Sequence, residues 1–240
     1  MNNINLSIVI PCFNEEKNIF FLFQKIEKLL ENISYIEIII IDNGSTDGTY
    51  QKIINTDLFK KKKINFLSIE KNIGYGHGIM AGVNIAKGNF IGWCHADLQT
   101  EPIDVLNAYK KNINELQNEN CVIKGLRKNR NIFDSMFTFG MSIFASIIFL
   151  KKINDINAQP KLFPKSFLIY FKDYPLDFSL DLYFLVIAKT NNYRIINHEV
   201  IMKKRLYGEA KGGGSLKGKI KLIKRTLFYI IELKKKLWNI

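Results

Sequence analysis

Four times in the first 125 residues a short β-rich apolar run gives way to apolar positions at helical spacing. LSIVI (6–10) stops at Pro11 and is followed by Ile19, Leu22, Phe23, Ile26, Leu29 and Leu30 on one face of a helix over 15–31, with Asn14 placed to cap it. The unit recurs as IEIIIID (36–42) before a helix from about Thr49. It recurs again as INFLSI (64–69) before a helix ending near Lys87, and as NFIGWC (89–94) before TEPIDVLNAYKKNINEL, where Pro102 suits a first turn. Alternating strands and helices predict an α/β fold: a single Rossmann-like, mostly parallel sheet with helices on both faces. Ligands of such sheets sit at the carboxyl ends of the strands. Those ends carry Asn14 and Glu15, Asp42, Asn72 and Gly74, and His95, Asp97 and Gln99.

Beyond Ile123 the pattern changes. The stretch 132–150 is almost wholly apolar, and its few polar residues, Asp134, Thr138, Ser142 and Ser146, recur every four positions on one narrow stripe. It is long enough for a membrane span, yet it lies between segments of one domain and has basic residues on both flanks, which favours a helix lying in the interface or buried against a partner. NDINAQPKLFPKSF then reads as turn-rich, LDFSLDLYFLVIAKT as a helix and YRIINHEVIM as a strand. Residues 216–240 place Leu216, Ile220, Ile223, Leu227, Ile230 and Leu237 on one broad face among lysines. This is either a basic amphipathic membrane-interface helix or a terminal helix docked on its own domain. The expected division is 1–215 as one domain and 216–240 as an appended helix.

Composition adds a partner class. Of 240 residues 47% are apolar, enough for a packed core, and the net charge is +13, much of it between Lys203 and Lys236. Such a block seeks an acidic partner, anionic lipid or nucleotide phosphate. Nucleic acid is disfavoured, because the lysines are not interleaved with exposed aromatic platforms. Three cysteines without metal-ligand spacing, and an amino terminus lacking a secretory pattern, fit a reduced cytoplasmic setting.

The segments IVIPCFNEEKNI, IDNGSTDGT, NIGYGHGIMAGVNIAKG and HADLQTEP, in that order and spacing, resemble the family 2 glycosyltransferases of GT-A fold. GLRKNR, DINAQPKLFPKSF and RLYGEAK resemble the dolichyl-phosphate mannose synthase and polyprenyl-phosphate glycosyltransferase group. The resemblance implies an inverting transfer of a sugar from a UDP- or GDP-linked donor to polyprenyl phosphate or a lipid-linked glycan in cell-envelope glycan synthesis, on a protein peripheral to the inner face of the membrane. The rival class is a non-catalytic nucleotide-sugar-binding scaffold of the same fold. Donor binding is implied for Pro11, Phe13, Glu15, Asp42, Ala96, Asp97, Gln99, Arg205 and Lys211, with Asp42 accepting from the base and Phe13 walling it. Asp97 and Gln99 are implied ligands of a divalent ion, Mn²⁺ or Mg²⁺, that neutralises the departing diphosphate. His95 stands where the family usually has the first Asp of its DxD motif, and an imidazole there favours Mn²⁺. The catalytic set is Asp97, Arg127 near the acceptor phosphate, and Asp181 as general base. The glycines Gly74, Gly76 and Gly78 do not make a dinucleotide fingerprint; they read as a loop that lets backbone approach the donor.

Overall fold

The computed structural model describes residues 4–31, 33–128, 132–207 and 216–238. Seven strands form one sheet: β1 (Leu6–Cys12), β2 (Ile36–Asn43), β3 (Asn65–Ile69), β4 (Phe90–Trp93), β5 (Cys121–Lys128), β6 (Lys161–Pro164) and β7 (Arg194–Ile201). Among the described residues nine α-helices accompany them: α1 (Glu16–Leu30), α2 (Thr49–Ile54), α3 (Asp57–Lys60), α4 (Tyr75–Ile85), α5 (Pro102–Lys111), α6 (Ile113–Asn118), α7 (Ile132–Phe149), α8 (Leu180–Thr190) and α9 (Leu216–Trp238). The strand order is β3-β2-β1-β4-β6-β5-β7, with β6 antiparallel to both neighbours and the remaining pairings parallel.

Alternation along the strands feeds two cores. Ile8, Ile10, Ile38 and Ile40 face α1 and α5, where Leu22, Ile26, Val105 and Leu106 are buried. Val9, Ile39, Ile41 and Trp93 face the opposite way, toward Ile79, Met80 and Val83 of α4 and toward Leu182 and Phe184 of α8. Such two-sided burial is why these strands read as continuous apolar runs.

The predicted early elements are present within a few residues, and Pro102 is the first residue of α5. Three details differ. Asn14 is not the cap of α1. It sits at φ +51 and its side chain bonds across to Thr46, while Glu15 occupies the cap position and its side chain bonds the Asn18 side chain rather than capping a helix N–H. The turn-rich 154–167 stretch contains β6 and the start of a 3₁₀ helix (Lys165–Tyr170). In α7 the polar stripe faces inward where its side chains are described. Ser142 is buried, and Ser146 donates to Ser142 O and accepts from Ile153 N, whereas Ile143 and Ile147, with Leu150 just beyond the helix, are exposed. Among the described residues no helix is long and apolar enough to cross a membrane. The second half of α9 docks on its own domain, packing beside α7 with Ile230 and Leu233 buried.

Candidate active site

The parallel strand ends open into a cleft of about 380 Å³. Pro11 lies near the end of β1 and Phe13 follows it, Asn43 ends β2, and His95, Ala96 and Asp97 follow β4. Glu15 lines the same cleft, its Oε2 accepting from Asn18 Nδ2 at 2.6 Å. Arg205 reaches in from the segment after β7, and Arg225 from α9.

Asp97 is buried, and its Oδ1 accepts from Gln99 N at 3.1 Å across Leu98, which lies at φ +60. A left-handed leucine is uncommon, and here its side chain is buried in the α1 and α5 core, which secures the turn. The turn brings two oxygens together. Asp97 Oδ2 and Gln99 Oε1 both accept from Arg205 Nη2, at 2.5 and 3.1 Å. The Arg205 segment is pinned by Lys203 N to Gln99 O at 3.0 Å, Gln99 Nε2 to Lys203 O at 3.3 Å and Lys203 Nζ to Glu101 at 2.6 Å.

His95 turns elsewhere. Its Nε2 is 2.8 Å from the Tyr75 hydroxyl, which also lies 3.3 Å from Asp181 Oδ2 and accepts from Gln159 Nε2 at 3.1 Å. Burial, reinforced by the charge of Asp181, raises the Tyr75 phenol well above its ordinary value, so the hydroxyl stays protonated. Phe178 stacks on the Tyr75 ring at 4.8 Å, and the Arg225 guanidinium lies 5.4 Å from the centre of the Phe178 ring. Arg225 Nε is 3.1 Å from Asp177 Oδ2.

Several residues singled out in the sequence lie outside the lining of the cleft. Asp42 is buried and its Oδ1 accepts from Ser45 N at 3.2 Å; Asn43 is the member of that pair facing the cleft. Asp181 is buried behind Tyr75, 3.1 Å from the fully buried Lys161 Nζ, and accepts from Gln159. Arg127 is paired with Asp155 through its side chain and its backbone N–H. Lys211 falls outside the described residues.

Gly74 lines the cleft, and the glycine loop has a further physical reason besides the one expected. A Cβ on Gly74, at φ +147, would lie 2.1 Å from Leu176 O, and one on Gly76 would lie 2.4 Å from Pro175 O. These glycines admit the chain's own 175–177 segment, which His77 N holds through Leu176 O at 3.0 Å. Tyr75, Phe178 and Arg225 were not foreseen. Tyr75 sits inside the glycine cluster that drew attention to its backbone, and Arg225 lies in a helix whose basic residues all read as surface.

The Glycosyl transferase family 2 model matches residues 7–150, a span that includes β1 to β5 and the strand-end turns. The chain belongs to glycosyl transferase family 2. Within that family it is 28% identical over 142 residues to the dodecaprenyl-phosphate galacturonate synthase of Rhizobium johnstonii, covering 57% of this chain and 39% of that one. It is 29% identical over 156 residues to the dolichol-phosphate mannosyltransferase of Pyrococcus furiosus, covering 64% and 43%. The chain thus spans well under half the length of these two curated relatives. Among solved structures, glucosyl-3-phosphoglycerate synthase from Mycobacterium tuberculosis with Mn²⁺ and UDP superposes at a TM-score of 0.71, at 14% identity, covering 96% of this chain and 80% of that one. A mannosyltransferase from Pyrobaculum calidifontis with GDP-Man and Mn²⁺ superposes at 0.62, at 15% identity, covering 92% and 65%. At such identities the likeness establishes the GT-A fold of this family 2 chain.

Proposed function

We propose that this chain transfers a sugar, with inversion, from a UDP- or GDP-linked donor to polyprenyl phosphate. The observation that carries the reading is the convergence of Asp97 Oδ2 and Gln99 Oε1 on one nitrogen of Arg205; Asp97 and Arg205 line the strand-end cleft, and Gln99 lies just outside its lining. One anionic and one neutral oxygen, held by a buried turn and aimed at a positive centre, form a donor set that fits a hard divalent ion. Among the described residues no three His, Cys, Asp or Glu side chains converge, so further ligands would come from the donor diphosphate. Mg²⁺ and Mn²⁺ suit two oxygens alike. With His95 Nε2 engaged by Tyr75, an imidazole ligand requires that contact to open. When bound, the ion neutralises charge on the departing diphosphate.

The chain's own residues do the remaining work. Arg205 leaves Asp97 and Gln99 for the diphosphate, and Arg225 supplies a second fixed cation at the same rim. Phe13 walls the base, Asn43 offers it an amide, and Glu15 accepts from the ribose. Asp181 is a poor general base here, being buried and ion-paired with Lys161. A sugar hydroxyl acceptor would need that base, whereas a polyprenyl phosphate is already an anionic nucleophile. This favours the phosphate acceptor over a lipid-linked glycan and makes Asp181 a positioning residue for Tyr75.

Docking at the inner face of the membrane is part of the same reading. Ile147 is 64% exposed, Leu150 79% and Phe228 71%, on adjoining α7 and α9, with Lys224 and Lys235 exposed along α9. The test is transfer of labelled sugar from a panel of UDP- and GDP-sugars to a short-chain polyprenyl phosphate, with Mn²⁺ or Mg²⁺. Wild type should transfer from at least one donor, and Asp97→Asn should lose about 10²-fold or more. Donor binding without transfer to any acceptor, unaltered by that substitution, would leave the scaffold reading instead.

A further inference from the structure

A second polar concavity, of about 190 Å³, lies between β5, β7, α8 and the 152–154 segment, and shares no lining residue with the cleft. Lys124, Lys152 and Lys189 bring amines to it, Asn154 and Asn197 bring amides, and no carboxylate lines it. Lys124 is 1% exposed, and among the described residues the acceptor for its Nζ is Gly125 O at 3.1 Å. An ammonium has three N–H donors, so one bond leaves most of its capacity unused. Among the described residues none of the three lysines has a carboxylate within ion-pair distance. Asp155 is the favourable charge near Lys124, but Arg127 already holds it. Burial, with the charges of Lys161 and Arg127 adding to it, pulls Lys124 down to about 7.

An amine buried this deeply with so little compensation is expensive to charge, unless something negative enters the chamber. Beside it lies a second hollow of about 160 Å³ that shares Ile153 and Lys189 and is lined further by Phe149, Val186 and Leu237 together with Lys151, Thr190 and Lys234. A polar chamber rich in donors thus adjoins one of mixed apolar and basic lining.

We infer that the Lys124, Lys152 and Lys189 chamber is a binding site for a phosphate-bearing anion, separate from the strand-end cleft. The shared chemistry is a phosphoryl group. Its source is either free phosphate, held in the polar chamber alone, or a lipid phosphate whose chain lies in the adjoining hollow.

Calorimetric titration of the full chain with inorganic phosphate, and separately with geranyl phosphate, at fixed ionic strength tests this. Lys152 is exposed and Lys189 half-buried, so K152Q/K189Q should fold normally by circular dichroism and weaken phosphate binding by about tenfold or more, as expected for lost charge-assisted bonds. The cleft variant R205Q/R225Q should retain the wild-type phosphate affinity of this site. Lys124→Met should remain folded and lose the same binding. Geranyl phosphate binding at least tenfold tighter than phosphate, and lost in K152Q/K189Q, assigns a lipid source; equal affinity assigns the free anion. Absence of phosphate binding to wild type, or affinity unchanged in K152Q/K189Q, overturns the site.

Discussion

The two halves of the sheet differ in the charge they bury. From β1 to β4 the buried side chains are mostly Ile, Val, Leu and Trp, and the buried polar pair Ser7 and Glu37 sits near the strand starts, 2.6 Å apart. From β5 onward the fold buries Lys124, Lys161 and Asp181, while α7 turns Ser142 inward and leaves Ile143 and Ile147 in the open. The first half follows the ordinary hydrophobic rule and makes a rigid platform for a cleft. The second half adds charge to an apolar interior and leaves apolar side chains of α7 in the open, an arrangement that costs stability.

The contrast is broken most directly at the buried ion pair. Asp181→Ala leaves Lys161, fully buried, without its carboxylate, and should cost about 3–5 kcal/mol in urea unfolding. Asp181→Ala/Lys161→Met should recover much of that loss. If the double variant stays as unstable as the single one, the pair is not the organising feature of this half. In the other half Leu22→Ala in α1, a fully buried apolar contact, should cost about 2–5 kcal/mol with no partner able to restore it.

A pH series separates the halves more finely. Burial lowers the folded pKa of Lys124 from 10.5 to about 7, with the charges of Lys161 and Arg127 adding to it and Asp155 opposing. Between about pH 7 and 10.5 the unfolded chain therefore holds a proton that the folded chain has released, and stability from this group rises with pH by up to about 1.4 kcal/mol per unit. Lys124→Met should flatten the slope between pH 7 and 9; an unchanged slope would mean that the amine is charged in the fold. Ile147→Asp should shift folding stability by less than about 0.5 kcal/mol, since the side chain is exposed. It should nonetheless weaken binding to anionic vesicles in a sedimentation assay, and equal sedimentation would remove α7 from the membrane face.

The difference between halves also decides what could be read in advance. β1, β2 and β4 announce themselves because a strand buried on both faces is a mostly apolar run, with Pro11 and Asn43 near the ends of the first two and His95 just beyond the third. The position of Asp97 and Gln99 at the rim was legible for the same reason. β6 was not, because Lys161 opens it and a fully buried lysine contradicts every pattern rule for a strand. The orientation of α7 was hidden too, since periodicity shows that polar residues share a face without saying which way that face turns. The retreat of Asp181 and Arg127 from the cleft depends on Lys161 and Asp155, partners 20 and 28 residues away that no local spacing reveals.

The cleft is closed by contacts between distant parts of the chain: Tyr75 with Asp181 is separated by 106 positions, and Asp97 with Arg205 by 108. Loop closure over such spans comes late in folding. During synthesis the amino-terminal strands therefore leave the ribosome as an unfinished receptacle, and competence to hold a ligand arrives only after residue 205 has emerged. A nascent chain arrested before residue 205 would fold much of its platform and grip nothing.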